Sequence, residues 1–298
     1  MARIGRFKSE QARTDYLRTY EAMARLWPLP ATLADIPTSF GPTHVRRSGS
    51  GDGVPLVLLA GVLGHGLHWH PVVEGLAKDR AVYALDTIGA AGRSVQTAPL
   101  HGDAGYAAWF AEVLDGLGLD RVHVLGESSG AWHATLVGLH AADRVASVSL
   151  IEPNGVVTRI PWRALLKVIR FGGNTTDEGW RAMAEWLTPG VVMTDVERAN
   201  ARAGQRYRLA GGWARPLKDA ELAAYAPPLL VIYGGESVVS DPAAARRRLA
   251  DLLPSAEVET YPGTGHGVRG QIPDQVTARV VEFLARHDAD EGAHPLTS

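Results

Sequence analysis

The stretch "HVLGESSGAW", His123 to Trp132, sets a serine hydroxyl between two glycines directly after a short apolar run. Ser128 is the centre of a G-x-S-x-G pattern. A nucleophile carried on a sharp turn between a strand and a helix needs a strained backbone and small neighbours, which the glycines supply. Such a turn lifts Oγ above the sheet edge. There the backbone N–H of Ser129, at the start of the helix, can donate to a developing oxyanion. The competing reading of these residues is a glycine-rich helix start with a capping serine.

A serine hydroxyl is a poor nucleophile at neutral pH and needs a base, normally a histidine. "YPGTGHGVRG" places His266 in a loop after a short strand and before the last helix, in the chain order nucleophile, acid, base. His65, His68 and His70 in "GHGLHWH" are rivals, because three imidazoles within six residues could ligate a metal. No carboxylate accompanies them and their spacing matches no zinc motif. They are expected to line a pocket mouth or cap a helix, and no metal is expected.

Elements must position these groups. Residues 7 to 26 space their apolar side chains at three or four and predict an amphipathic helix closed by "WPLP". "THVRRSG" and "GDGVPLVLLAG" read as strands, the second apolar on both faces from Pro55 to Ala60, as in a covered sheet. Helix and strand signals then alternate: helix at 71–78, strand at 81–85, helix at 106–117, strand at 122–125, a helix after Ser129, and a strand at 145–151. That alternation predicts an α/β fold with a mostly parallel, doubly wound sheet. From 154 to 227 the rhythm changes to Trp- and Arg-rich helical segments without a clear strand, and a helical lid is expected there over the carboxyl ends of the strands. Strand signals resume at "PPLLVIYGG" and "AEVETYPG", before a final helix at 275–286. The core is therefore assigned to 1–153 and 228–288, the lid to 154–227, and 289–298 to a disordered tail.

With these residues placed, the chain resembles the α/β-hydrolases, and within them the bacterial carboxylesterases of the naproxen-esterase type. The resemblance runs from "FKSEQARTDYLRTYEAMARLWPLP" through "PLVLLAG" and "YALDTIGAAGRS" to "PLKDAELAAYAPPLLVIYGG" and "ETYPGTGHGVRGQIPDQV". It implies a triad with Ser128 as nucleophile and His266 as base, and an oxyanion hole from the N–H groups of Val62 and Ser129. Gly61, Glu127 and Trp132 are expected against the substrate.

Three positions depart from the family pattern. Ala60-Gly61 stands where His-Gly is usual, and the missing histidine would have braced the oxyanion loop. Glu127, beside the nucleophile, is charged where an apolar residue or histidine is commoner, and a salt-bridged side chain is the favoured reading. The family's acidic triad position falls on Ser237, which cannot stabilise an imidazolium as a carboxylate can. Glu152 in "SLIEPNG" is the first substitute, since some relatives supply the acid from that strand end; Glu236 is second and Asp241 third. Asp86 in "DTIGAAGRS" reads as structural. Trp162, Trp180, Trp186 and Trp213 could line an apolar pocket or form helical core.

Of the 298 residues 46% are hydrophobic and 21% charged, the formal net charge is −2, and cysteine is absent. There is no basic excess to attract nucleic acid or an anionic membrane, and neither disulfides nor thiolate chemistry is available. No signal peptide or apolar membrane span is read, so a cytoplasmic chain is expected. The reading is a cofactor-free serine hydrolase cleaving an ester, thioester or lactone of a hydrophobic small molecule, with homodimerisation left open. Two alternatives share the scaffold: a non-hydrolytic cyclase, lyase or acyl transferase of secondary metabolism, and a non-catalytic small-molecule receptor.

Overall fold

Apolar runs such as Leu56–Leu59 and Leu229–Tyr233 can stay in water on neither face, so they form strands covered by helices on both sides. The computed structural model describes residues 4–62, 64–172, 176–210 and 214–288. In chain order the elements begin β1 (Arg6–Phe7), α1 (Glu10–Ala24), β2 (Thr32–Ile36), β3 (Thr43–Ser48), β4 (Gly53–Leu59), α2 (Val73–Leu76) and β5 (Arg80–Leu85). They continue with α3 (Gly102–Leu117), β6 (Val122–Glu127), α4 (Ser129–His140) and β7 (Val145–Ile151). An inserted run follows: α5 (Trp162–Gly172), α6 (Asp177–Leu187), α7 (Asp195–Gly204), β8 (Tyr207–Arg208) and α8 (Asp219–Ala223). The chain then returns to the sheet with β9 (Leu229–Gly234), α9 (Pro242–Leu252), β10 (Glu257–Tyr261), α10 (Val268–Gln271) and α11 (Pro273–Arg286).

Eight strands form one sheet in the order β10-β9-β7-β6-β4-β5-β3-β2. Only β3 runs against the rest, pairing antiparallel with both β2 and β5. Alternate side chains of each strand feed two cores. Val57, Leu59, Val124, Leu150 and Val231 pack with α3, α4 and α9 on one face. Leu56, Leu58, Leu125, Ile151 and Ile232 pack with α1 and α11 on the other. The fold is therefore the expected α/β-hydrolase arrangement, with the carboxyl ends of β4, β6, β7 and β9 along one edge.

Several elements differ from expectation. The helix expected at 71–78 is a single turn, Val73–Leu76. β2 was not foreseen, because "TLADI" mixes polar and apolar residues at a sheet edge. The insertion read as strandless contains β8, whose Tyr207 and Arg208 pair with Phe7 and Arg6 of β1; two residues give no period to detect. The amino-terminal helix contacts this insertion as well as the sheet: Asn200 of α7 donates to Thr19 of α1 at 3.2 Å. Trp213 and the tail 289–298 lie outside the described residues. Among the described residues no helix is long and apolar enough to cross a membrane.

Desolvation pulls His65 and His123 from the ordinary 6.5 down to about 4, and His68 to about 3. The unfolded chain takes up protons at these sites below pH 6.5, while the folded chain refuses them until about pH 4. Stability is thus full above pH 6.5 and declines as pH falls toward 4. Buried Asp86, whose carboxyl is raised by desolvation, acts in the opposite sense but alone. Thermal melts are expected to show a falling midpoint between pH 7 and 4.5, with a shallower slope in His65→Gln; a flat profile in the native chain would contradict the assignment.

Candidate active site

β6 ends at Glu127, and Ser128 turns the chain into α4 with φ 54° and ψ −116°. Among the described residues only one other non-glycine has positive φ, Glu152 at 49° just past β7. Each such backbone stores on the order of 1–3 kcal/mol and persists only where its surroundings fix it. Here they do. Ser128 N–H donates to Ile151 O at 2.9 Å, and Glu152 N–H donates to Ile232 O at 2.8 Å, so both residues are held to the next strand. The elbow glycines are required by close approach: a Cβ on Gly126 would lie 2.4 Å from Gly130 O, and one on Gly130 would lie 2.1 Å from Leu59 O.

His266 sits in the turn between β10 and α10, braced by Gly265 N–H donating to Gln271 Oε1 at 2.8 Å. The turn packs on the end of β9, where a Cβ on Gly234 would lie 2.2 Å from Gly265 O. His266 Nε2 is 3.2 Å from Ser128 Oγ, and His266 Nδ1 is 2.9 Å from Glu152 Oε2. A carboxylate only accepts, so Nδ1 carries the proton, Nε2 is the acceptor and the serine hydroxyl donates to it. Glu152 is fully buried. Its Oε1 accepts from Gly234 N–H at 2.7 Å, and its Oε2 from the Ser237 hydroxyl at 2.6 Å and the Ser240 hydroxyl at 3.2 Å.

Of the carboxylates considered from sequence, the structure brings Glu152 to the histidine and leaves the other two apart. Glu236 is exposed, its backbone N–H spent on Thr264 O, and the carboxylate that meets His266 is that of Glu152. Asp241 caps α9, accepting from Ala244 N–H at 2.9 Å. Ser237 occupies the family's acid position and supports the carboxylate instead of replacing it.

The loop after β4 passes against the nucleophile. A Cβ on Gly61 would lie 3.2 Å from Ser128 Cβ, and Val62 follows, exposed. The turn is closed by Gly64 N–H donating to Gly61 O at 2.9 Å, and its far end is tied by Gly66 N–H donating to Asp86 Oδ1 at 2.9 Å. Asp86 Oδ2 accepts from Arg93 N–H at 2.7 Å, so its role is to hold two loops together. Ser129 is the first residue of α4.

Glu127 is salt-bridged: its Oε2 accepts from Arg269 Nη2 at 2.8 Å and Nε at 3.1 Å. Arg269 in turn lies 4.9 Å over the Trp69 ring. This pair joins the nucleophile's strand to the helix after His266. Trp132, expected against the substrate, is buried in a hydrophobic cluster, with Arg215 5.6 Å from its ring centroid. The three histidines make structural contacts, two of them with each other. His65 Nε2 meets Asn200 Oδ1 at 2.8 Å, His68 Nδ1 accepts from His65 N–H at 3.2 Å, and His70 meets Glu197 at 3.1 Å. Of the tryptophans in the inserted segment, Trp162 is exposed and Trp180 and Trp186 are half-buried.

Sequence reasoning missed Asn154, whose Oδ1 is 3.4 Å from Ser128 Oγ, as well as Ser240 and Arg269. The only signal for Asn154 was its place two residues past Glu152 in "EPNG".

Comparisons with known proteins place the chain among described sequences and structures. The sequence model described as "Alpha/beta hydrolase family" matches residues 56–280. The chain is 29% identical over 278 residues to a Bacillus subtilis protein named "Uncharacterized carboxylesterase nap", covering 90% of this chain and 92% of that one. It is 26% identical to carboxylesterase YbfK of the same organism, covering 93% and 96%. The crystal structure of naproxen esterase (carboxylesterase NP) from Bacillus subtilis superposes with a TM-score of 0.84 at 28% identity, over 91% of this chain and 97% of that one.

Gly130→Ala is expected to lower the melting temperature, by about 1–3 kcal/mol of stability as overpacking does, because its methyl would collide with Leu59 O at 2.1 Å. Differential scanning calorimetry checks this; a native-like midpoint would mean that the elbow is not fixed by that contact.

Proposed function

Because the chain belongs to the alpha/beta hydrolase family, we propose that it is a serine hydrolase that cleaves a carboxylic ester of a small hydrophobic molecule. The observation that carries this reading is the continuous hydrogen-bonded line from Ser128 through His266 to buried Glu152. The carboxylesterase relatives, alike over most of the chain, support the ester bond as the target.

In this reading His266 Nε2 takes the Ser128 proton as Oγ attacks the ester carbonyl carbon. The carbonyl oxygen becomes an oxyanion, held by the N–H groups of Val62 and Ser129. His266, now an imidazolium facing the Glu152 carboxylate, returns its proton to the leaving alcohol as the C–O bond breaks. A water molecule, deprotonated by the same nitrogen, attacks the acyl-enzyme, and the acid leaves with Ser128 restored. No step calls on a cofactor. Gly61 lies on the acyl side of the nucleophile, and Glu127 acts through Arg269 to keep the two loops in register rather than by touching substrate. The insertion from 154 to 227 serves as the lid, and the cysteine-free composition suits a cytoplasmic enzyme.

A fluorophosphonate probe is expected to label Ser128, with labelling lost in Ser128→Ala and His266→Ala. Turnover of p-nitrophenyl acetate is expected to fall by about 10⁴ in Glu152→Gln, the loss seen when an orienting carboxylate is neutralised in the serine protease template, and to stay native in Glu236→Gln. Wild-type turnover in Glu152→Gln would overturn the assignment of the acid.

A further inference from the structure

α5 departs from what a helix of a closed globule shows. Trp162, Leu165, Leu166 and Ile169, at positions i, i+3, i+4 and i+7, fall on one stripe. They are exposed at 66%, 37%, 58% and 60%. The helix is seated by its other side: Ala164 is buried and Val168 half-buried. Four large apolar side chains in line, facing water, mark a surface that something covers.

The charges beside the stripe identify the occupant. From Arg159 to Arg170 the chain carries Arg159, Arg163, Lys167 and Arg170 and no acidic residue. Arg163 and Arg170 share one flank of the stripe by helical spacing, with Lys167 beyond them. Arg159, Arg163 and Arg170 are exposed and, among the described residues, form no salt bridge. An apolar face with tryptophan and leucine, bordered by arginines, fits a surface that is apolar inside and anionic at its rim. The formal net charge of −2 conceals this segment because it averages the cations of α5 with acids elsewhere.

We infer that α5 docks the protein on an anionic phospholipid surface, the stripe entering the acyl boundary and the arginines meeting headgroup phosphates. A second copy of the chain fits less well. Stripe-to-stripe antiparallel pairing would bring Arg163 of one copy beside Arg170 of the other, and four side chains fall far short of the roughly 20–30 residues a side of a stable interface. The inference does not depend on the ester-cleaving reading, since it concerns a helix apart from Ser128 and His266.

The test is co-sedimentation of the full chain with vesicles of phosphatidylcholine containing phosphatidylglycerol, and with vesicles of phosphatidylcholine alone. Binding is expected to the anionic vesicles, at least tenfold weaker without phosphatidylglycerol and weakened by raised salt. Leu166→Glu with Ile169→Glu is expected to abolish it, and Arg163→Gln with Arg170→Gln to reduce it severalfold. All four side chains are exposed, so circular dichroism and melting temperature should stay native. No binding by the native chain, or binding that survives Leu166→Glu with Ile169→Glu, overturns the inference. So does a concentration-dependent dimer that the same pair disrupts, since the stripe would then be covered by a second copy.

Discussion

Burying a carboxylate costs several kcal/mol unless hydrogen bonds replace the lost water, and the whole site rests on how Glu152 meets that requirement. It receives four donors: His266 Nδ1–H, Gly234 N–H and the hydroxyls of Ser237 and Ser240. Three come from the end of β9 and the loop after it, and one from the loop after β10. The carboxylate therefore fastens three separate stretches of chain to one point, and the imidazole's tautomer follows from its place among them. A neutral amide at this position could not accept all four bonds. Its nitrogen would face a donor, and the histidine would lose the partner that fixes its orientation.

The strain at Ser128 and Glu152 is maintained by the same sheet. Each has its N–H committed to a carbonyl of the neighbouring strand, Ile151 O of β7 at 2.9 Å and Ile232 O of β9 at 2.8 Å, so relaxing either backbone would break a buried bond. The glycines at 126 and 130 let α4 approach β4 closely enough for the elbow to close. Local strain is sustained by non-local pairing, which is how an open parallel sheet can hold a reactive group at its edge.

Much of this was legible in the sequence, for reasons tied to period and punctuation. β4 and β9 carry continuous apolar runs, and β6 and β7 are short, mostly apolar segments between helix signals, a pattern that a covered sheet accommodates; the G-x-S-x-G elbow carries its own steric logic. The helix of residues 10–24 followed from its spacing. β1 and β8, two residues each, left no period, and their pairing across about two hundred residues is a tertiary fact. Glu236 was weighed as an acid because the family pattern points to that loop, yet whether its side chain lies under the imidazole or in water depends on a turn that spacing does not encode. Glu127 could be expected to pair with a cation; that the cation is Arg269 could not, since the two are 142 positions apart.

The displacement of the acid from the loop after β9 to the end of β7 follows from the strand order. β6, β7, β9 and β10 are successive neighbours. Ser128 follows the first and Glu152 the second directly, the family's acid position lies in the loop after the third, and His266 follows the fourth. Neighbouring strands lie about 4.8 Å apart, and the last residue of β7, Ile151, pairs with Ile232, two residues before the end of β9, so a carboxylate leaving β7 starts close beside the strand whose following loop carries the family's acid position. Glu152, leaving β7 with positive φ, covers that offset, and Ser237 turns its hydroxyl toward the Glu152 carboxylate. The histidine need not move, because what it requires is an acceptor at Nδ1, and two adjacent strand ends can each provide one.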